Sequence, residues 1–192
     1  MTTTAIIGKP RTGKTLYLTM IAHTDFLAGR KIYSNYDLTF PHVKYDIEDL
    51  LSIATMEMDI SPKTVVMQEA SKWFDARRSG RRENVLLSSF TGQSGKREID
   101  IYYDDQFITR IDRGLRDITD FSFLSEVLRD NSKQPILFSY TMYGGYFAYP
   151  LNRTLKFLAK EIEGINFPSL EKYYDMYNTR QPTQALDPMK ER

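Results

Sequence analysis

Apolar positions along the chain switch repeatedly between two spacings. Residues 3–7 form a short β-prone run that stops at Gly8. Residues 15–28 read as a helix, because Leu16, Met20 and Leu27 recur on one face with Tyr17, Ile21 and Ala28 beside them. Gly29 is placed to end that helix. Residues 31–36 make a second strand candidate and 43–45 a short third. Residues 46–54 read as a helix with Asp46 as its N-cap and acids in its first turn. Pro62 marks a loop, and the buried run 64–67 is the next strand. Residues 69–76 look helical, 77–82 form a basic loop, and 83–91 read as a further helix. Strand candidates follow at 99–103, 118–123 and 136–140. Strands alternating with helices through the first half predict an α/β fold, with a mostly parallel sheet covered on both faces. The last third is less regular. With no internal repeat or linker, residues 1–177 are expected to form one domain and 178–192 an extended or frayed tail.

Composition narrows the class. Hydrophobic residues at 41% and charged ones at 27% describe a globular chain rather than a disordered one. A net charge of +1 excludes a uniformly basic nucleic-acid coat but leaves room for a local basic patch. The absence of cysteine excludes disulfides and thiolate metal sites. His23 and His42 stand alone, with no second ligand at metal spacing, and read as structural or surface residues. No basic leader precedes an apolar run at the N-terminus, so no signal peptide is expected. The uncharged stretch 134–152 has the length of a membrane span. It contains Pro135, Gly144-Gly145 and Pro150, so it predicts a buried strand, a glycine turn and a second short segment instead.

The candidate chemistry starts at Gly8. The run Gly8-Lys9-Pro10-Arg11-Thr12-Gly13-Lys14-Thr15 is a complete phosphate-binding loop between a strand and a helix. Gly8 and Gly13 permit backbone geometry that a Cβ would obstruct. The turn aims successive N–H groups at phosphate oxygens, and the following helix presents its positive end to the same anion. Lys14 would reach the β- and γ-phosphates, and Thr15 would offer a hydroxyl to magnesium. The expected ligands are ATP and Mg2+. Arg11 would either shield phosphate or remain solvated.

A loop of this kind is served by an acid at the end of a nearby buried strand. The run Thr64-Val65-Val66-Met67-Gln68-Glu69 supplies the strand and its exit. Glu69 can polarise water as a general base and contribute to the metal site beside Thr15. Gln68 stands where a second acid is usual. It can bond a magnesium-bound water but brings no charge. Weaker magnesium binding, slow hydrolysis, or a substitution at Gln68 itself would each fit.

Gly8 to Leu16 and residues 30–36 resemble Zot-like P-loop ATPases of viruses and plasmids, archaeal ones above all. These are similar to the FtsK–HerA group of DNA-pumping motors. The resemblance continues through 68–79, 90–97 and 100–106 and ends near 112–120, so it covers about residues 4–123. It implies an ASCE or RecA-like three-layer sandwich, with the acid-bearing strand next but one to the P-loop strand. It also implies a polar residue ending the strand between them that senses the γ-phosphate. Gln106 matches that place, with Gln93 as a weaker choice. The group works as a ring, a hexamer for example, completed by an arginine from the neighbouring subunit. Arg77, Arg78, Arg113 and Arg116 are the candidates, and each reads equally as a solvated surface residue.

Lys72, Arg77, Arg78, Arg81, Arg82, Lys96 and Arg97 make 72–97 locally positive, which suits double-stranded DNA or an ordinary charged loop. Trp73 and Phe74 beside it read as core packing before stacking platforms. The first expectation is an ATPase motor that moves or packages DNA. It would act in host cytoplasm or on the virion, where a viral structural protein could be its partner. The alternatives are a virion-extrusion ATPase, an ATP-binding switch with weak turnover, and a small-molecule kinase.

Overall fold

The computed structural model describes residues 2–46, 49, 62–78 and 98–177, with Arg78 by its backbone. The expected helices at 46–54 and 83–91, the basic segment beyond Arg78, Gln93 and the tail at 178–192 lie largely or wholly outside those residues.

Strand β1 (Thr3–Ile7) enters the phosphate loop and helix α1 (Lys14–Leu27) leaves it. Next come β2 (Lys31–Ser34), β3 (Val43–Lys44) and β4 (Lys63–Met67). Beyond them lie β5 (Ile99–Asp105), helix α2 (Arg113–Asp117), β6 (Phe121–Arg129), β7 (Pro135–Gly144) and β8 (Tyr149–Leu158). Among the described residues these strands form one eight-stranded sheet in the order β3-β2-β4-β5-β1-β6-β7-β8. Pairing is parallel from β3 to β6 and antiparallel through β6, β7 and β8.

Alternation along the central strands divides two cores. Ala5, Ile7, Val65, Met67, Ile101 and Tyr103 pack on one face with Trp73, Phe74 and Leu115. Ile6 and Val66 point to the other face, where α1 supplies Leu16, Tyr17, Leu18 and Ala22. Both faces of the parallel part are therefore covered, and β1, β2 and β4 are buried at nearly every position. Trp73 and Phe74 are core residues, as their composition suggested. His23 packs among Phe26, Phe40 and Tyr173, and His42 Nδ1 lies 2.9 Å from the Phe40 carbonyl.

Several expectations are corrected. The segment 69–76 is not one helix but two 3-10 turns, Ala70–Lys72 and Ala76–Arg78. Its backbone is engaged elsewhere: Ala76 N–H donates to the Arg110 carbonyl and the Phe74 carbonyl accepts from Asp112 N–H. Leu27 is not on the buried face of α1; it is 70% exposed, and Phe26 packs on Phe40 in its place at 5.5 Å. Strand β5 continues two residues past Tyr103, to Asp105. Ile118 closes α2 instead of opening β6. The irregular last third is a meander in which β7 and β8 each run ten residues. Gly145, at φ 60, allows the turn between them.

The meander belongs to the α1 face. Phe138 and Tyr140 of β7 join the core under α1, where Tyr140 stacks on Tyr17 at 4.2 Å between ring centroids. Phe138→Ala is expected to cost about 3–5 kcal/mol, because the side chain is nearly fully enclosed and rigid strands surround it. Urea denaturation of the two proteins measures this; a loss below about 1 kcal/mol would place Phe138 outside the core.

Candidate nucleotide-binding site

The sheet order delivers the loop to a defined place. The loop leaves β1 with β5 on one side and β6 on the other. Gly8 N–H donates to the Asp105 carbonyl at 3.2 Å, which holds the loop's first residue on β5. A Cβ on Gly8 would lie 2.5 Å from the Ser125 carbonyl oxygen of β6, so only glycine fits. Arg11 (φ 63) and Gly13 (φ 87) are left-handed, and a Cβ on Gly13 would lie 2.6 Å from the Phe138 ring. Left-handed residues interspersed with right-handed ones are the backbone form that gathers N–H groups into an anion nest.

The loop's carbonyls are satisfied from behind. Ser125 Oγ donates to the Thr12 carbonyl at 2.6 Å, Arg129 Nη2 to the Arg11 carbonyl at 2.6 Å, and Tyr140 Oη to the Gly13 carbonyl at 3.0 Å. The Lys9 carbonyl accepts from Thr12 Oγ1 and from Lys14 Nζ, each at 2.9 Å. Lys14 is therefore held inside the loop, while Lys9, Pro10 and Arg11 are exposed. Burial lowers the Lys14 pKa, and the nearby charges of Asp104, Asp105 and Glu69 oppose that shift.

Thr15 opens the second half of the site. Its hydroxyl donates to Asp104 Oδ2 at 2.9 Å and accepts from Gln68 Nε2 at 3.3 Å. Asp104 Oδ1 accepts the Glu69 N–H at 2.8 Å. Glu69 sits at φ 53, a conformation that costs a non-glycine residue roughly 1 kcal/mol or more, so that bond helps to hold it. Its carboxylate pairs with Lys72. Asn35 grips Gln68 by both backbone groups, accepting its N–H at 2.8 Å and donating to its carbonyl at 3.0 Å. Asp105 faces the other way. It accepts the N–H groups of Ser71 and Gln106, at 2.8 and 2.7 Å, and so shapes the chain leaving both strands. Gln106 itself is half-buried just past the end of β5.

Asp104 was not singled out from the sequence. Its signal in the sequence is the largely apolar run 99–103 followed by Asp104-Asp105, and both acids belong to β5 itself. Burial pushes the Asp104 carboxyl up to about 6 from 3.8, and the repulsion of Asp105 adds to this. The Glu69 N–H, Lys14 and the Thr15 hydroxyl partly offset it. Thr15, Asp104, Gln68 and Glu69 together offer the oxygen donors and the buried carboxylate that suit a hard divalent cation such as Mg2+. Among the described residues no group of three or more His, Cys, Asp or Glu is placed to hold a metal ion, here or elsewhere.

The candidate arginines lie elsewhere. Arg77 is paired with Asp75 at 2.6 Å and is 74% exposed. The backbone of Arg78 is in the same 3-10 turn, and its side chain is outside the described residues. Arg113 is exposed and bonded to Asp117 at 3.2 Å. The Arg116 guanidinium lies over the Tyr146 ring at 6.0 Å. Helix α2 ends beside the first residues of β1 and β6, at the sheet end opposite the loop. Arg113 and Arg116 border one cavity with Thr119, Gly145 and Tyr146.

A loop from the first strand, a lysine held within it and a threonine set between Asp104 of β5 and Gln68 just past β4 make one arrangement. The fold that carries it is shared by solved structures. The N-terminal domain of zonular occludens toxin from Neisseria meningitidis matches 92% of this chain and 98% of its own, with TM-score 0.57 and 17% identity. B204, the DNA-packaging ATPase of Sulfolobus turreted icosahedral virus, matches over 81% and 96%, with TM-score 0.58 and 11% identity. The genome packaging NTPase B204 of Sulfolobus turreted icosahedral virus 2, in complex with ATP-gammaS, matches over 84% and 97%, with TM-score 0.55 and 9% identity. This chain has the P-loop NTPase fold. No protein-family model and no curated protein sequence matches it. At these identities the likeness carries the fold. In that P-loop NTPase fold, β4 is next but one to β1 with β5 between them, as the resemblance implied.

The raised carboxyl sets a pH dependence in nucleotide-free, metal-free protein. The folded state keeps the Asp104 proton to a higher pH than the unfolded chain, so stability falls as pH rises from about 4 through about 6. Lys14, Asp105, the Thr15 hydroxyl and the Glu69 N–H face the same carboxylate, while Tyr36 and Tyr177 stay neutral because burial raises both. Asp104→Asn is expected to raise the melting temperature at pH 7–8 by several degrees, with the gap closing toward pH 4. Thermal scans from pH 4 to 8 test it, and a gap independent of pH would contradict it.

Proposed function

We propose that this protein is an ATPase that hydrolyses ATP with Mg2+ at the loop Gly8–Thr15 and uses the energy to translocate or package DNA in a viral or plasmid setting. The observation that carries the reading is the Thr15 hydroxyl, set between the ends of β4 and β5 with Lys14 enclosed by the loop. That the fold is shared with the packaging ATPase B204 supports the choice of work done.

The loop N–H groups and Lys14 would bind the β- and γ-phosphates, and Gly8, Lys9, Pro10, Arg11, Thr12 and Gly13 would form the cradle. Bound magnesium would neutralise charge on the phosphate oxygens. Thr15 and Glu69 would hold it, with Gln68 bonding its water. Glu69, released from Lys72, would take the proton of the attacking water as its oxygen bonds to the γ-phosphorus and the bond to ADP breaks. Gln106 would sense the γ-phosphate from the end of β5. An arginine from a neighbouring copy in a ring, drawn from Arg77, Arg78, Arg113 or Arg116, would complete the charge. Lys72 and Arg77 begin the basic segment that would track the phosphates of double-stranded DNA without reading bases. Residues 1–177 would be the ATPase domain.

Similarity to the zonular occludens toxin domain over 98% of that chain favours a second reading, an ATPase that drives virion extrusion at a membrane. Among the described residues no helix is long and apolar enough to cross a membrane. Gln68, in place of an acid, keeps a weak-turnover switch as a third.

ATP hydrolysis with and without double-stranded DNA separates these. The wild type is expected to be stimulated by DNA, and Lys14→Ala and Glu69→Gln to lose about 10²–10⁴-fold in kcat. A wild type no faster than Lys14→Ala would sink the motor. DNA-independent turnover with liposome binding would favour extrusion. Light scattering with and without ATP reads ring formation, and a stable monomer would favour the switch.

A further inference from the structure

The carboxylate bonded to the loop threonine comes from the neighbouring strand. Gln68, just past the end of β4, lacks the charge that organises magnesium in P-loop enzymes. The last paired residues of β4 and β5 are Met67 and Tyr103, so the next residues, Gln68 and Asp104, occupy equivalent places on adjacent strands. Adjacent strands lie about 4.8 Å apart. Both side chains converge on one atom, Thr15 Oγ1, which donates to the carboxylate and accepts from the amide. We infer that the acid and the amide have exchanged strands: Asp104 of β5 carries the negative charge of the magnesium site, and Gln68 beside β4 is its neutral hydrogen-bonding partner.

Three observations support the exchange, which rests on the nucleotide-binding reading above. The first is burial. Asp104 is 1% exposed, and a carboxylate so enclosed needs a compensating cation. Lys14 offsets part of that cost from nearby, but burial outweighs it, so a divalent ion would supply the remainder. The second is reach. One strand spacing separates the two places, so the charge stays beside Thr15 when acid and amide trade positions. The third is the use made of the other carboxylate oxygen. Asp104 Oδ1 accepts the Glu69 N–H, so the group that would order the metal's water also fixes the residue that would activate the attacking water. A neutral Gln68 bonded to Thr15 then costs the site no charge. The carboxylate missing from β4 is present on β5.

The alternative is a purely structural Asp104, a brace for Thr15 and Glu69. Reciprocal exchange distinguishes the two. Full-length wild type, D104N, Q68D and the double variant Q68D/D104Q are titrated with a fluorescent ATP analogue in EDTA and in MgCl2, and Mn2+ binding to the nucleotide complex is followed by EPR. The wild type is expected to bind nucleotide more tightly with magnesium. In D104N that gain should fall about 10–100-fold while binding in EDTA is retained. In Q68D/D104Q it should return to within about threefold of wild type, with a Mn2+ signal restored alongside. Circular dichroism reports folding, and if D104N alone fails to fold the double variant carries the decision. Equal loss in EDTA and in magnesium, or a folded double variant with no recovery, would overturn the exchange. A wild type that binds no nucleotide in either buffer would overturn the nucleotide-binding reading itself, which is a different result.

Discussion

A loop that points its N–H groups at an anion must find partners for its carbonyls on the opposite side. In this chain those partners come from residues more than a hundred positions away. Ser125, Arg129 and Tyr140 donate to the carbonyls of Thr12, Arg11 and Gly13. Phe138 and the Ser125 carbonyl close the space that a Cβ at Gly13 or Gly8 would need. The phosphate loop is thus the front of an assembly whose back is the antiparallel meander. Without β6 and β7, the left-handed residues Arg11 and Gly13 would have no fixed support. The same strands put Phe138 and Tyr140 beneath α1, so loop, helix and meander depend on one core.

The second constraint is a buried charge. Asp104 is enclosed at the end of β5, between the loop threonine and the strained Glu69. Burial drives its carboxyl toward neutrality, while a bound cation would favour its ionised form. The site is therefore less comfortable empty than filled, a common condition where function and stability compete. The bonds from Asp104 also connect the two halves of the site, so a change at the Thr15 side is felt at Glu69.

Much of the parallel half was readable from residues alone. The run 3–7, the glycine-lysine loop and the helical spacing of 15–28 are local patterns, and each formed nearly where its spacing placed it. Residues 64–67 and 99–103 are apolar at almost every place because both faces of their strands are covered. Segment 69–76 failed for the opposite reason. Its composition suits a helix, but backbone bonds to residues 110 and 112 take the groups a helix would use. The meander was hard to see because its inward residues, Phe138, Tyr140 and Phe123, alternate with Ser, Thr and Tyr rather than with charges.

The sequence by itself determined that a phosphate loop stands between a strand and a helix, because that motif is local: two glycines, a lysine and a threonine at set intervals carry its geometry. It also placed Glu69 beside a residue without charge. It did not determine which carboxylate would face Thr15. That depended on β5 lying between β4 and β1, and on a register that sets Asp104 beside Gln68. Strand order follows from how all the faces are buried together, which no short stretch of sequence encodes. The same holds for the braces behind the loop, whose hydroxyls and guanidinium are ordinary surface types until the fold carries them to the carbonyls of residues 11–13.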